Sequence, residues 1–210
     1  MRIKRFTLGQ LQTNCYFLIN EKNETLIIDP ADSGDFLTEQ ILKDKLTPKA
    51  ILLTHGHFDH ILACTELQLN FNLKVFCHIE DKFLINKAND SIKFFLGDKT
   101  AFIKPKITYF KQQPKINSSF KFETIHTPGH TPGSCSYYFK NEKMIFSGDV
   151  VFNNAVGRWD FDYSNKKILY QSLQILNQMN KHIIIYPGHG EPTTTKHITY
   201  LLSAFFSEFR

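Results

Sequence analysis

At 210 residues, 42% hydrophobic and 21% charged, the chain is about one globular domain long and too apolar to be disordered. No apolar run reaches the roughly 18 residues of a membrane helix, and the opening MRIKRFTLGQ has cations but no apolar stretch or cleavage site, so neither a membrane span nor a secretory leader is expected, and a cytoplasmic protein is. The net charge of +5 suits a small anionic substrate and falls short of a nucleic-acid binder's dense basic stripe.

The first elements read as a meander: strands over Ile3 to Thr7, Cys15 to Ile19 and Thr25 to Ile28, the last closing at Asp29-Pro30. Ser33 is placed to cap a helix running through Leu42, with Phe36, Leu37, Gln40 and Ile41 as its stripe. A short buried strand at Lys49 to Leu53 leads directly into THGHFDH. A second helix is expected from Asp59 to Asn70, then a strand at Lys74 to Cys77.

Residues 82–121 read as an irregular, partly helical excursion in which lysines alternate with Phe83, Phe94, Phe95, Phe102, Tyr109 and Phe110. It is either a solvated basic surface with its aromatics turned inward or a substrate-facing lid. Strands resume at Lys121 to Ile125, Ser134 to Phe139, Lys143 to Phe146 and Ile183 to Tyr186. A helix spans Asn165 to Met179, and a last apolar helix carries Phe205, Phe206 and Phe209. This alternation is layered α/β structure in a single domain over 1–210.

The chemistry gathers where apolar strands end. Four such ends run into loops carrying His55-Gly56-His57-Phe58-Asp59-His60, His126-Thr127-Pro128-Gly129-His130, Ser147-Gly148-Asp149 and Pro187-Gly188-His189-Gly190. In layered α/β folds, sites collect outside the carboxyl ends of strands, so these loops are expected to converge. His55 and His57 are spaced to face one metal, while Asp59 and His60 aim at a second position that His189 completes. His130 comes from a proline-stiffened loop, and the Asp149 carboxylate has an oxygen for each of two ions. Five imidazoles and two carboxylates without a thiolate favour zinc, with iron or manganese as alternatives. His126 is a candidate outer partner of a ligand imidazole; His78, His182 and His197 read as surface or core residues. The four cysteines, Cys15, Cys64, Cys77 and Cys135, form no C-x-x-C pair and read as buried reduced thiols.

T-H-x-H-x-D-H, H-T-P-G-H-T-P-G-S, S-G-D and P-G-H-G together resemble the metallo-β-lactamase superfamily, in particular its glyoxalase II-like hydrolases. The resemblance implies a four-layer αβ/βα sandwich of two facing mixed β-sheets flanked by helices. It implies that His55, His57 and His130 hold one divalent ion, that Asp59, His60 and His189 hold another, and that Asp149 bridges them. The implied activity is thioester hydrolysis, as of S-D-lactoylglutathione to D-lactate and glutathione, with Asp59 orienting the metal-activated hydroxide. The larger glyoxalase II enzymes grip glutathione with a carboxy-terminal helical region that the residues after Gly190 do not match. Gly157-Arg158-Trp159-Asp160-Phe161 resembles the G-R-x-D-F of short bacterial members. Arg158 is therefore the candidate clamp for a substrate carboxylate, its alternative being a loop-fixing salt bridge to Asp160 or Asp162.

The rival activities are a mono-iron persulfide dioxygenase, which shares G-R-x-D-F but lacks the last ligand histidine, and a lactonase or other ester hydrolase. A nucleic-acid module built on the lysine and aromatic stretch is the alternative of a different class.

Overall fold

The computed structural model describes residues 1–97 and 102–207, so Asp98 and Lys99 of the lysine-rich stretch and Phe209 of the last helix lie outside the described residues. The chain divides into two compact units, Met1–Phe120 and Lys121–Arg210.

The amino-terminal unit holds a six-stranded mixed sheet in sequential order. β1 (Arg2–Leu8), β2 (Thr13–Ile19) and β3 (Glu24–Ile28) form the expected antiparallel meander. β4 (Thr47–Leu52), β5 (Val75–His78) and β6 (Ile107–Phe110) then extend it in parallel. Parallel neighbours need crossovers, and α1 (Gly34–Lys43) and α2 (Cys64–Phe71) supply the first two. One face of the sheet, with Phe17, Ile27, Ile51 and Val75, packs on Leu37 and Ile41 of α1 and Leu67 of α2. All four cysteines are buried thiols. Burial, and secondarily the Asp29 carboxylate, pushes the Cys15 and Cys64 thiols well above their ordinary range, which makes both inert.

Three local readings need correction here. Ser33 precedes α1 but sits in the left-handed region (φ 55°) and makes no side-chain cap; its own amide donates to Asp32 Oδ1. The expected helix from Asp59 breaks into a 3-10 turn at Phe58–His60, and α2 starts only at Cys64. The cause is competition for amides, because Leu62 N and Ala63 N donate to the carbonyls of Ala31 and Pro30 and not to helical neighbours. The excursion is more ordered than its composition suggests: α3 (Lys82–Asn86) and α4 (Ala88–Leu96) precede β6, which pairs with β5. Its aromatics are not all turned inward, since Phe94 is 82% exposed.

The carboxy-terminal unit holds a five-stranded sheet in the order β11-β10-β9-β8-β7. Its strands are β7 (Glu123–His126), β8 (Cys135–Phe139), β9 (Met144–Gly148), β10 (Ile184–Pro187) and β11 (Thr193–Thr194). Only β9 and β10 run parallel, and α5 (Lys166–Asn177) connects them. Asn165 caps α5 by accepting from Ile168 N. Leu169, Leu173 and Leu176 of α5 meet Ile198 and Leu201 of α6 (Thr195–Phe205) in this unit's core. Among the described residues no helix is long and apolar enough to cross a membrane.

In the amino-terminal unit, Glu24 ties the meander to the end of the excursion. Its carboxylate accepts from Ser119 Oγ (2.7 Å) and Asn20 Nδ2 (2.8 Å) and pairs with Lys49 Nζ (3.0 Å). The Ser119 bond foremost, with Lys49 and Asn20 behind it, lowers its pKa to about 2. A depressed carboxylate pKa stabilises the fold above the unfolded value, roughly 4.3, and that stability is lost as pH falls through the folded value. Glu24→Gln is therefore expected to lower the urea midpoint at pH 7, with the gap from the parent narrowing between pH 4 and pH 3. A gap that stays constant across that range refutes the assignment.

Candidate metal centre

In the amino-terminal unit the candidate ligands are organised by Asp29, a residue the motif reading passed over. It ends β3 in the left-handed region (φ 48°), a conformation that short polar side chains tolerate best. Its buried carboxylate accepts from Thr54 N (2.8 Å, Oδ1), from Thr54 Oγ1 (2.6 Å, Oδ2) and from His60 Nδ1 (3.0 Å, Oδ2). A carboxylate only accepts, so the His60 proton is on Nδ1 and Nε2 is the candidate ligand atom. Thr54 Oγ1 spends its own proton on Asp29, so it accepts from His55 Nδ1 at 3.1 Å. His55 Nε2 is thereby turned toward the candidate site in the same way.

His55 Nε2 and His57 Nδ1 lie 2.9 Å apart, two ring nitrogens converging as a pair of ligands would. Gly56 between them donates its amide to the buried Asp81 carboxylate (2.8 Å). A Cβ on Gly56 would stand 3.0 Å from Asp81 and 3.1 Å from Leu84, so the H-x-H turn needs glycine for close approach. Asp59 Oδ2 accepts from Thr13 Oγ1 at 2.7 Å and lies 3.5 Å from His60 Nε2. Thr13, at the start of β2, is thus a second positioning residue that carried no sequence signal.

In the carboxy-terminal unit the centre is Asp149. Its Oδ2 lies 3.6 Å from His130 Nε2 and 3.5 Å from His189 Nε2, so one carboxylate oxygen sits between two imidazoles. His130 Nδ1 donates to the Arg158 carbonyl (2.9 Å), which again turns Nε2 toward the site. The outer-partner role expected of His126 therefore falls to Arg158 O. His126 is exposed, and its Nε2 binds the Pro132 carbonyl at 2.8 Å, stapling the loop instead. His189 follows because Pro187 pairs with Gly148 and Gly188 N donates to Gly148 O (2.9 Å), which docks the P-G-H-G loop against S-G-D. His78 is a buried structural residue bound to Lys111 O (3.0 Å).

The side chain of Arg158 is exposed and makes a two-pronged bond to Asp160, with Nε and Nη2 each 2.9 Å from an oxygen. That pairing raises the Arg158 pKa and lowers that of Asp160. The guanidinium also lies 4.4 Å above the Phe161 ring, whose edge faces His130 at 6.0 Å between centroids. The loop-fixing salt bridge foreseen for Arg158 is therefore present, and it uses only part of the guanidinium.

Among known proteins, residues 8–189 match the metallo-beta-lactamase superfamily. The probable metallo-hydrolase YqgX of Bacillus subtilis (strain 168) is 36% identical over 195 residues, 92% of each chain. The hydroxyacylglutathione hydrolase GloC of Haemophilus influenzae is 34% identical over 199 residues, 92% of this chain and 93% of its own. A solved structure, TTHA1623 in a di-iron-bound form, matches with a TM-score of 0.84 at 32% identity, covering 94% of this chain and 98% of that one. The chain belongs to the metallo-β-lactamase superfamily, whose members are generally metal-dependent hydrolases, and has its αβ/βα fold.

The carboxy-terminal half-site rests on one backbone approach. A Cβ built on Gly157 would stand 1.8 Å from the Asp149 carbonyl oxygen and 3.2 Å from His130 Cβ. Gly157→Ala is expected to lower stability by about 1–3 kcal/mol or more in thermal unfolding. Gly97→Ala, where nothing lies within 4 Å but the backbone (φ 82°, ψ 176°) is one only glycine adopts readily, should cost about 1–3 kcal/mol through backbone strain alone. A Gly157→Ala loss below about 1 kcal/mol would contradict this account.

Proposed function

We propose that the chain is a dinuclear-metal hydrolase of thioesters of the S-D-lactoylglutathione kind. His55, His57 and His130 are assigned to one divalent ion, Asp59, His60 and His189 to the other, and Asp149 to both. The observation that carries this reading is Asp149 Oδ2 lying within 3.5–3.6 Å of Nε2 on both His130 and His189, one histidine of each ligand set. The donors fit such ions. His55, His60 and His130 each engage the far ring nitrogen, and the set is nitrogen and oxygen without thiolate, suited to zinc and also to iron or manganese.

Ions held there would supply Lewis acidity, activating water at neutral pH and polarising the thioester carbonyl. The protein's own groups do the rest. Asp59, held by Thr13, accepts a hydrogen bond from the attacking water and orients it toward the carbonyl carbon. A C–O bond forms as the water gives up its proton to solvent, the C–S bond breaks, and the thiolate leaves to take a proton from solvent. Arg158 keeps Nη1 outside its Asp160 pairing and can receive a carboxylate of the thiol arm there. The identity to GloC supports a glutathione thioester. The place of His189 beside Asp149 supports two ions and hydrolysis over the one-iron persulfide dioxygenase reading.

Metal analysis of the purified protein is expected to find about two equivalents, with lactoylglutathione cleaved and no oxygen consumed. One iron with oxygen uptake on glutathione persulfide overturns the proposal. Asp149→Ala and His57→Ala should each abolish turnover with the circular dichroism unchanged; full activity in either refutes the ligand assignment. Asp29→Asn should weaken metal affinity 10–100-fold, read by competition with a chelator, and an unchanged affinity removes Asp29 from its supporting role.

A further inference from the structure

In the carboxy-terminal unit, the carbonyl that holds His130 belongs to a stretch with little regular structure of its own. Residues 157–163 lie in no strand or helix. The Val151–Val156 bridge stops just short of them. Gly157 N then donates to Val150 O at 3.3 Å, and the next backbone group along with a partner elsewhere in the unit is the Arg158 carbonyl itself, which accepts from His130 Nδ1 at 2.9 Å. A carbonyl in such a loop goes where the neighbouring side chains anchor it. The residue that follows Arg158 is Trp159, the single tryptophan of the chain.

Side chains alternate along this stretch. Those of Arg158 and Asp160 are exposed, whereas Trp159 between them is partly buried against the core of the unit. Its ring meets that of the fully buried Phe206 at 5.7 Å and that of Phe205 at 6.4 Å, two residues at the end of α6. Tyr170 of α5 backs Phe206 at 5.6 Å. Lys166 Nζ stands over two of these rings, 4.9 Å from the centre of Trp159 and 5.7 Å from that of Phe206. Lys166 is the first residue of α5, where the helix dipole disfavours a cation. Attraction to two ring faces offsets that cost. The start of one helix and the end of another thus converge on a single indole.

We propose that Trp159 is a positioning residue for metal binding: its indole, docked between the ends of α5 and α6, fixes the Arg158 carbonyl, which fixes the His130 ring, so that packing at the carboxy-terminal helix sets affinity for the ion assigned to His130. The inference rests on that ligand assignment. Arg158 and Trp159 share one peptide unit, which is planar and stiff, so the carbonyl cannot move without the Cα that bears the indole. A chain released at Trp159 lets the 2.9 Å bond to His130 lengthen. The imidazole then has to be ordered when the ion binds, and that entropy is lost from the affinity.

The test is the zinc affinity of the full chain, read by competition with a chromophoric chelator. Trp159→Ala should weaken it about tenfold, the lower end of the loss when a ligand's outer partner is removed. Trp159→Phe, which keeps an aromatic ring in place, should recover most of that loss. Phe206→Leu, a milder change on the other side of the contact, should shift affinity in the same direction, and it carries the test if Trp159→Ala does not fold. Leu176→Ala, buried toward the far end of α5, should lower the thermal midpoint and leave zinc affinity unchanged. In a His130→Ala background, Trp159→Ala should leave the remaining affinity unmoved, because its effect passes through that ring. Undiminished affinity in Trp159→Ala or, failing that, in Phe206→Leu overturns the positioning role. So does an equal loss in Leu176→Ala, or a Trp159 effect that survives without His130; each of these leaves the ligand assignment intact. A parent chain that binds no zinc overturns the ligand assignment, and the positioning role with it.

Discussion

The buried carboxylate of Asp29 is the constraint on which the amino-terminal half of the centre depends. One side chain accepts from the amide and hydroxyl of Thr54 and from His60, and through Thr54 it also sets the proton of His55. A buried charge is costly unless hydrogen-bonded, and here its three bonds are the same ones that orient two candidate ligands. The stability of the β3–β4 pairing and the readiness of the site are thus one arrangement.

The carboxy-terminal half solves the same problem with backbone in place of a carboxylate. The Arg158 carbonyl holds His130, and the pairing of Pro187 with Gly148 delivers His189 to Asp149. The missing side chain of Gly157 lets that loop lie against the Asp149 carbonyl. The amino end of α5 completes the clamp: Asn165 N donates to Gly129 O, Ser164 Oγ to His130 O and Ser172 Oγ to Pro128 O. The candidate ligand histidines are thereby held by groups that are themselves tied into secondary structure, which would lower the cost of ordering them around an ion.

Much of the fold was legible because its strands are short, strongly apolar and bounded by turn residues: the meander, the strand before T-H-x-H, and those leading to S-G-D and P-G-H-G were all visible. β6 was not, since Ile107–Phe110 is a four-residue run among lysines and prolines whose only support is pairing with β5. The break after Asp59 was hidden for a related reason. Leu62 and Ala63 have ordinary helical character, and only the carbonyls of Pro30 and Ala31, brought alongside by the fold, draw their amides away. Of the candidate site, the motif residues were legible and their partners were not. Asp29, Thr13 and Asp81 lie 31, 46 and 25 positions from the groups they orient.

By itself the sequence determined the layered α/β class, the four strand-end loops and a ligand chemistry of imidazoles and carboxylates, because strand periodicity and donor type are local properties of the chain. Tertiary structure alone decided which ring nitrogen of His55, His60 and His130 is presented and how the P-G-H-G loop docks against S-G-D. Those outcomes depend on hydrogen bonds and side-chain packing between segments far apart in the chain, and no local pattern encodes a partner that only folding brings within 3 Å.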